Sequence, residues 1–507
     1  MIMLSKLKTA VLYGVQAHAV TLETDISCGL PSVTIVGLAD TSVKEARDRI
    51  RPALNNSGFR FPSQRITINF SPADVQKHGS HLDLPMAVGI LISGGGLESG
   101  HAGDFAYFGE LSLDGAVRPV RGMLPMVRAL SREGVRKVIV PEGNAEEASL
   151  AENTQVYSVS SLRQLCAFLR GQIRLSPVAG KEEPKEPEMD SDLDFRDVRG
   201  QELAKRALTV AVAGGHGILM TGSPATGKTM LAERIPGILP PMSRREKLRI
   251  TEIYSISGAL DAAHPFIHQR PFRHPHSSLS RAGLLGGGTE PVPGEAVLAH
   301  HGVLFLDEMP EFRPSVLESL RVPLEEKQVR LIRRGKSYVF PADFLLVAAA
   351  NPCPCGYYGD SEHECRCSSA EVRRYQKRLS GPLLSRIDIQ FYLPSVSYDQ
   401  MMQESTLDSA SMREMVVRAR KVQKNRFAGT SITLNSQMNG KMLKRWGNLD
   451  EESGLVLRDA YQKLNMDPRM LDKTVKVART IADIDGSPGI HMQHITEALA
   501  YRQKTSI

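Results

Sequence analysis

Residues 222–229 read Gly-Ser-Pro-Ala-Thr-Gly-Lys-Thr, which is the pattern of a loop that cradles phosphate groups. The apolar run before it, 216–221, predicts a short buried strand, and a helix is expected from Lys228. The two glycines let the backbone N–H groups and the helix start face a phosphate. Lys228 would bring charge to the outer phosphates, and Thr229 would offer a magnesium ligand. The full match in this context favours a nucleotide site over a chance glycine loop. The expected nucleotide-binding residues are Gly222, Ser223, Pro224, Ala225, Thr226, Gly227, Lys228 and Thr229.

Two further apolar strands are expected to end in polar residues at the same site. Residues 304–308 read Leu-Phe-Leu-Asp-Glu. Asp307 is expected to bind magnesium, and Glu308 to act as the base that polarises the attacking water. The run 344–350 ends at Asn351, which would position that water, although a plain Asn-Pro turn is the alternative. Strands alternating with helices predict a doubly wound, parallel α/β core.

The composition is that of an ordinary globular chain with a basic bias. The 507 residues are 41% hydrophobic and 23% charged, with a net charge of +7, and this length suggests about three domains. The charge points weakly to a polyanionic partner. Apolar runs fall short of the roughly 18 residues of a membrane helix, and no secretory signal is recognised, so we expect a cytoplasmic protein without a membrane partner. The acidic segment 181–194 reads as a solvated linker.

Short motifs are spread along the chain. Besides the phosphate loop they are Asp-Phe-Arg-Asp-Val-Arg-Gly-Gln at 194–201, Arg-Pro-Phe-Arg-His-Pro-His at 270–276, Gly-Gly-Gly at 286–288, Asn-Pro-Cys-Pro-Cys-Gly at 351–356 and Ser-Gly-Pro-Leu-Leu at 380–384. Together they resemble the magnesium-chelatase-like AAA+ ATPases of the ComM and YifB type, over nearly the whole chain. The resemblance implies a hexameric ring that hydrolyses ATP with Mg²⁺. For the competence member it implies a DNA helicase that drives branch migration during integration of incoming DNA. The alternative is a chelatase-type ATPase that remodels a protein partner for metal insertion.

Two arginine roles are carried over from related AAA+ motors. Arg386 matches the finger that reaches the γ-phosphate of a neighbouring subunit, and Arg469 matches a second sensor that contacts nucleotide in its own subunit. Ser385 stands where the family usually has Asp, which leaves the orientation of Arg386 open. From spacing alone, surface salt bridges explain both arginines equally well.

The amino-terminal part, 4–171, resembles the proteolytic domain of Lon proteases. Asp-Leu-Pro-Met-Ala at 83–87 and Pro-Val-Arg-Gly-Met-Leu at 119–124 fall where Lon has its serine and its lysine. Met86 and Leu124 occupy those two positions, and neither side chain can act as nucleophile or base, so a Ser-Lys protease is excluded there. Lys77, His78 and His81, which come shortly before the first of these motifs, are polar candidates that are expected to be solvated loop residues.

The expected fold class is therefore α/β: an AAA+ P-loop NTPase core with a helical lid, preceded by a Lon-like α/β domain. The expected boundaries are 1–175 for the Lon-like domain, 176–193 for the acidic linker, 194–397 for the ATPase core with a cysteine-rich insertion at 353–367, and 398–507 for the lid.

Four of the six cysteines fall in that insertion, as two C-x-C pairs separated by nine residues. They are Cys353, Cys355, Cys365 and Cys367. Four thiolates suffice for a tetrahedral structural zinc site, although paired zinc ligands more often have two residues between them. Free or redox-active thiols are the alternative.

A basic stretch follows Asp307 and Glu308 in the sequence. Residues 321–340 contain six Lys or Arg against two Glu, and 329–340 predict a hairpin that turns at Arg333, Arg334 and Lys336. Basic hairpin tips bind phosphates without reading bases. We therefore expect DNA, single-stranded or branched, as the partner of this hairpin, with a solvated basic turn as the alternative.

Overall fold

The computed structural model describes residues 4–179, 193–261, 263–333, 335–360, 362–379, 381–403, 405 and 407–502. The chain forms two compact units. The first comprises Met1–Glu186, Arg244–His268 and Ile332–Val339. The second comprises Pro187–Ser243, Gln269–Leu331 and Phe340–Ile507. The lid thus belongs to the same unit as the ATPase core, and two stretches of the expected core belong to the first unit. Most of the expected linker lies outside the described residues.

The amino-terminal part alternates strands and helices. Its strands are β1 Ser5–Tyr13, β2 Gln16–Ser27, β3 Ser32–Val36, β4 Arg65–Ser71, β5 Phe105–Tyr107, β6 Glu110–Leu111, β7 Val117–Arg118, β8 Lys137–Pro141 and β9 Gln155–Val159. Its helices are α1 Thr41–Asn56, α2 Asp83–Ser93, α3 Ser99–Ala102, α4 Met123–Arg132, α5 Ala145–Ser149 and α6 Leu162–Leu169.

A seven-stranded mixed sheet of order β3-β4-β2-β1-β5-β8-β9 forms the centre of the first unit. Helices α1 and α2 pack on one face and α4 on the other, because alternate side chains of β1 point to opposite faces. Met86 lies in α2 and Leu124 in α4, and both side chains are fully buried. The two positions that resemble the Lon catalytic pair are therefore part of the apolar core.

The expectation that the polar residues of this stretch are solvated is wrong for two of them. Lys77 is fully buried and donates to the carbonyl of Pro72, and burial lowers the pKa of its ammonium. His81 is 5% exposed, and its Nε2 lies 2.8 Å from the carbonyl oxygen of Ala10. Burial lowers the pKa of His81 to about 4, against the opposing effect of that hydrogen bond. Polarity alone did not reveal these partners.

The remainder of the chain begins with a helix and a buried strand. The strands are β10 Ile218–Gly222, β11 Phe272–Arg273, β12 Gly286–Gly287, β13 Val292–Pro293, β14 Val303–Leu306, β15 Gln328–Arg333, β16 Lys336–Pro341, β17 Leu345–Ala350 and β18 Ile389–Leu393. The helices are α7 Glu202–Gly214, α8 Lys228–Glu233, α9 Arg244–Ser257, α10 Arg281–Leu285, α11 Glu295–Leu298, α12 Pro314–Ser319, α13 Arg321–Glu326, α14 Ser369–Gln376, α15 Gly381–Leu384, α16 Tyr398–Met402, α17 Ser409–Arg426, α18 Gly440–Trp446, α19 Glu451–Lys463, α20 Pro468–Ile484 and α21 Met492–Ala500.

A five-stranded parallel sheet of order β11-β14-β17-β10-β18 organises the second unit. The three central strands, β14, β17 and β10, are buried along their whole length, as both faces of a covered parallel sheet require, whereas the edge strands β11 and β18 are partly buried. Strands β14 and β17 confirm the runs that the sequence predicted, and β10 begins two residues later than expected. The carboxyl ends of β10, β14 and β17 meet at one edge of the sheet.

The carboxyl-terminal helices form the expected lid. Its two longest helices, α17 and α20, pack on each other and on α7. Asp483 of α20 ties the lid together, since its carboxylate accepts from Arg426 and from Arg479. Within the described part of the chain, no helix combines the length and apolar character needed to cross a membrane.

Candidate functional site

The phosphate loop connects β10 to α8 at the carboxyl edge of the parallel sheet. Ala225 and Gly227 have positive φ angles of 62° and 89°, which fold the loop back on itself. A Cβ on Gly222 would lie 2.6 Å from the carbonyl oxygen of Leu393 in the neighbouring strand, so only glycine fits there. The two glycines, Gly222 and Gly227, fit these backbone constraints, and the loop leads directly into a helix N-terminus.

Lys228 is folded into the loop that it follows. Its Nζ donates to the carbonyl oxygens of Gly222 and Ser223, each at 2.8 Å, and lies 3.4 Å from the hydroxyl of Thr226. Burial lowers the pKa of Lys228, while the charges of two nearby acids raise it. A phosphate group in the loop would offer charged oxygens in place of these neutral carbonyls, which an ammonium binds more strongly.

The two sequence motifs meet through Thr229 and Asp307. The Thr229 hydroxyl donates to Asp307 Oδ2 at 2.7 Å, and Asp307 Oδ1 accepts from the backbone N–H of Glu308 at 2.9 Å. A hydroxyl and a carboxylate in contact at the strand ends are oxygen ligands of the kind that Mg²⁺ takes. The residues present therefore fit this cation.

Glu308 and Asn351 lie at the same edge. Glu308 follows Asp307 directly, is exposed, and adopts a left-handed conformation with φ 47° and ψ 44°. Such a conformation is costly for a residue with a side chain and is common at functional sites. Asn351 follows β17, the strand between β10 and β14, and is partly buried. The fold therefore brings together the polar strand ends that the sequence singled out.

The cysteine-rich insertion forms a loop against the phosphate loop. The four predicted sulfurs lie within 4.8 Å of one another. Asp360, from the same insertion, accepts a hydrogen bond from the Ser223 hydroxyl. This bond, with the backbone N–H groups of Glu362 and His363, lowers the pKa of Asp360 to about 2. No sequence motif indicated Asp360, because its partner lies far away along the chain.

Arg386 is held by residues of its own unit. Its Nη2 pairs with Glu325 Oε1 at 2.6 Å, and its Nη1 donates to the carbonyl of Pro382 at 2.6 Å. Its Nε is buried and has no hydrogen-bond partner among the residues that the structure describes. In the single subunit the arginine is therefore occupied by an acidic partner that the sequence did not reveal.

Arg386 and Arg469 line one cavity of about 570 Å³. Gly217, which precedes β10, and Phe344, which precedes β17, also line it, so the cavity lies at the amino edge of the sheet. The five residues of β10 separate that edge from the phosphate loop by on the order of 16 Å. In the structure Arg469 therefore lies beside Arg386, at the edge of the sheet opposite the phosphate loop of its own subunit.

The cavity also contains charged residues that no sequence pattern indicated. Asp388 lies 2.6 Å from Lys473 Nζ and 2.9 Å from His216 Nδ1. Burial would raise the pKa of Asp388, but the Lys473 charge and the His216 hydrogen bond outweigh burial and lower it. Burial lowers the pKa of Lys473. This ionic cluster supports the wall of the cavity beside the two arginines.

The predicted basic hairpin is formed by β15 and β16, and its tip belongs to the first unit. Arg333 is exposed. Lys336 is partly buried and donates to Gln76 at 3.2 Å, while Tyr338 stacks on Tyr13 with ring centroids 4.7 Å apart. Arg334 lies outside the described residues. Among the described predicted DNA contacts, Arg333 is therefore the one with an exposed side chain.

Comparison with known proteins adds independent findings. Residues 194–401 match the family model "Magnesium chelatase, subunit ChlI", residues 22–144 match "Subunit ChlI of Mg-chelatase", and residues 406–502 match the carboxyl-terminal model of the same subunit. Competence protein ComM of Haemophilus influenzae is 42% identical over 496 residues, covering 96% of this chain and 95% of that protein. The chain belongs to the ComM/YifB family of magnesium-chelatase-like AAA+ proteins.

Other relatives agree with this assignment. YifB of Escherichia coli is 40% identical over 507 residues, covering 98% of this chain and 97% of YifB. Lon protease 2 of Bacillus subtilis is 27% identical over 203 residues, which is 35% of each chain. The fold is accordingly a ComM/YifB-type AAA+ core with a lid, preceded by a Lon-like α/β domain. Membership in this AAA+ family supports ATP and Mg²⁺ as the ligands of the site.

Proposed function

We propose that this chain is an ATP-hydrolysing ring motor that acts on DNA, as a helicase or branch-migration factor in natural transformation or recombination. The observation that carries the ATPase part is the 2.7 Å hydrogen bond between Thr229 and Asp307. This bond joins the phosphate loop to the acidic residues at the end of β14. The family membership of the chain supports the same activity.

The proposed mechanism assigns one task to each residue of the nucleotide site. The loop N–H groups and Lys228 bind the phosphates, and Lys228 exchanges its carbonyl partners for phosphate oxygens. Thr229 and Asp307 would hold Mg²⁺, which neutralises charge on the outer phosphates when bound. Glu308 accepts a proton from the attacking water, and Asn351 orients that water.

We propose that Arg386 and Arg469 act together on the nucleotide of a neighbouring subunit. Their shared cavity faces away from the phosphate loop of their own subunit, and this favours a contact between subunits for both. Arg386 would leave Glu325 and pair with the γ-phosphate, where an added positive charge stabilises the transition state. A homo-oligomeric ring, hexameric by analogy with the family, provides such neighbours.

DNA is proposed as the substrate on two grounds. The relative named for competence covers nearly the whole chain, and the net charge is +7 with an exposed Arg333 at a basic hairpin tip. Arg333 would contact backbone phosphates and carry no base specificity. Lys336 is already bonded to Gln76, so it would contribute less.

The test is the rate of ATP hydrolysis with no DNA and with single-stranded, duplex and forked DNA, at two salt concentrations. We expect DNA to stimulate the wild type and salt to reduce that stimulation. Arg333→Ala should lose most of the stimulation, on the order of fivefold, while Lys336→Ala loses less. Arg163→Ala removes an exposed arginine from α6 and should behave as the wild type.

Unchanged hydrolysis with every DNA, together with intact basal turnover, would contradict the DNA part of the proposal and leave the ATPase part standing. The second candidate, a chelatase-type ATPase that remodels a protein partner for metal insertion, would then be favoured. The specific observation in its support is that all three matching family models describe the chelatase subunit ChlI.

A further inference from the structure

The cysteine loop, residues 353–367, gathers its sulfurs in the geometry of a metal site. Cys353 Sγ lies 3.3 Å from Cys355 Sγ and 3.7 Å from Cys365 Sγ, and the latter two are 3.6 Å apart. Cys367 Sγ lies within 4.8 Å of all three. Zn–S bonds of about 2.3 Å in a tetrahedron put neighbouring sulfurs about 3.8 Å apart. Three sulfurs therefore approximate one face of a zinc tetrahedron, with the fourth nearby.

The pattern of contacts argues against two separate disulfides. A disulfide joins sulfurs in pairs at about 2.05 Å, whereas Cys353, Cys355 and Cys365 each contact the other two. All four cysteines are free thiols, and Cys353 is fully buried. Mutual contact among soft sulfur ligands is the arrangement that one shared cation produces.

The cysteine loop has little regular structure of its own. Its described residues form no helix or strand between β17 and α14. Gln376 at the end of α14 donates to the carbonyl of Pro352 at 3.2 Å, which ties the two ends of the insertion together. A four-thiolate metal site would add order to this segment.

The same loop touches the phosphate loop at two points. A Cβ on Gly356 would lie 2.5 Å from Pro224 Cγ, so the backbone of Gly356 packs directly against Pro224. Asp360 accepts from the Ser223 hydroxyl, and its side chain is only 3% exposed. Both contacts come from the segment between the two cysteine pairs. A change in the positions of the four sulfurs would therefore be transmitted to Ser223 and Pro224 at the start of the phosphate loop.

We propose that the four cysteines bind one zinc ion, and that this zinc holds the cysteine loop against the phosphate loop and so sets the affinity for nucleotide. Zinc contacts no nucleotide in this arrangement. The effect passes through Gly356 and Asp360 to Pro224 and Ser223. The coupling to affinity rests on the proposed function of the phosphate loop, whereas the zinc site stands on the sulfur geometry alone.

The experiment uses the full chain, purified under reducing conditions. Zinc content is measured by mass spectrometry of the metal, the order of residues 222–229 by hydrogen exchange, and affinity with a fluorescent ADP analogue. The measurements are repeated after removal of zinc with a thiol-compatible chelator and after return of Zn²⁺. We expect one zinc per chain. Its removal should speed exchange in 222–229 and weaken ADP binding by about tenfold, and Zn²⁺ but not Mg²⁺ should restore both.

Two variants separate metal binding from coupling. Cys365→Ser/Cys367→Ser should lose the zinc and reproduce the zinc-free protein. Asp360→Asn leaves every sulfur in place, so it should keep one zinc while exchange in 222–229 speeds up and ADP binding weakens. Cys28→Ser, which changes an exposed cysteine of the first unit, should retain zinc, exchange and affinity.

Each failure has a distinct meaning. Wild-type protein without zinc, or with the four thiols oxidised in pairs, would overturn the metal site. Bound zinc whose removal leaves exchange in 222–229 unchanged would overturn the coupling. If exchange responds to zinc but no nucleotide binds, the proposed function of the phosphate loop fails and the structural coupling remains.

Discussion

At the scale of single residues, the proposed hydrolysis depends most directly on Glu308, the base assigned to the attacking water. Its carboxylate is exposed beside Asp307, which is already engaged by Thr229. A glutamine at 308 keeps the size of the side chain but cannot accept the proton of water. We expect Glu308→Gln to bind ATP as the wild type does and to lower kcat by at least about a hundredfold.

The matched control is Glu311→Gln, the same change three residues along the chain. Glu311 pairs with Arg378 at the surface at 2.9 Å, and an exposed pair contributes little. Its kcat should stay within about twofold of the wild type. Turnover and ADP affinity of the two variants are measured side by side, and equal turnover of Glu308→Gln and wild type would remove Glu308 from its role.

His81 makes the stability of the first unit depend on pH. Its pKa is about 4 in the fold and 6.5 in its ordinary state. Between these values the unfolded chain binds a proton that the folded His81 does not, so the free energy of unfolding falls as pH falls from 6.5 towards 4. The full effect is about 3 kcal/mol. Proteolysis in urea at pH 7 and pH 5, following fragments of the first unit, measures the slope.

His81→Gln should flatten that slope, because the Gln amide can donate to the Ala10 carbonyl without titrating. His101→Gln, at an exposed histidine of the same unit, should leave the slope as it is. An undiminished slope in His81→Gln would assign the pH dependence to other groups.

At the scale of elements, what the sequence could predict depends on how local the signal is. β14, β17, the start of α8 and the β15–β16 hairpin were recognised because apolar runs and turn residues are contiguous. Glu325 and Asp388 were missed, because their partners Arg386 and Lys473 are 61 and 85 residues away along the chain. Pairing at that distance follows from topology, which spacing does not encode.

The position of Arg469 in the fold also depends on tertiary packing, which spacing along the chain does not encode. Arg469 lies at the start of α20. Which edge of the parallel sheet that helix would reach depends on how α17, α20 and α7 pack. The resemblance to AAA+ motors therefore made Arg469 a candidate, and the packing of the lid helices places it beside Arg386.

At the scale of the whole molecule, the proposed ring can be tested by mixing subunits. Lys228→Ala disables its own phosphate loop but keeps Arg386, and Arg386→Ala does the reverse. Each variant alone should hydrolyse ATP at a few per cent of the wild-type rate or less. In randomly mixed rings about a quarter of the interfaces pair an intact loop with an intact finger, so an equal mixture should recover up to about a quarter of wild-type activity.

The control for mixing is the double variant Lys228→Ala/Arg386→Ala combined with Lys228→Ala, which contains no intact loop and should stay inactive. A mixture of the two single variants that remains inactive, although the subunits exchange, would show that Arg386 serves its own subunit. The ADP affinity of Arg386→Ala, measured separately, distinguishes a lost finger from a misfolded chain.

The buried Met86 and Leu124 bear on the history of the first unit. A serine and a lysine restored there would be a hydroxyl and an ammonium in dry hydrocarbon, which folding disfavours strongly. If the domain descends from a protease, the loss of the catalytic pair would therefore be hard to reverse. Once the two positions had become part of the apolar core, restoring either catalytic side chain alone would destabilise the fold before any proteolytic activity returned. Without a catalytic site to preserve, the surface residues of the domain could change as long as the hydrophobic core remained intact.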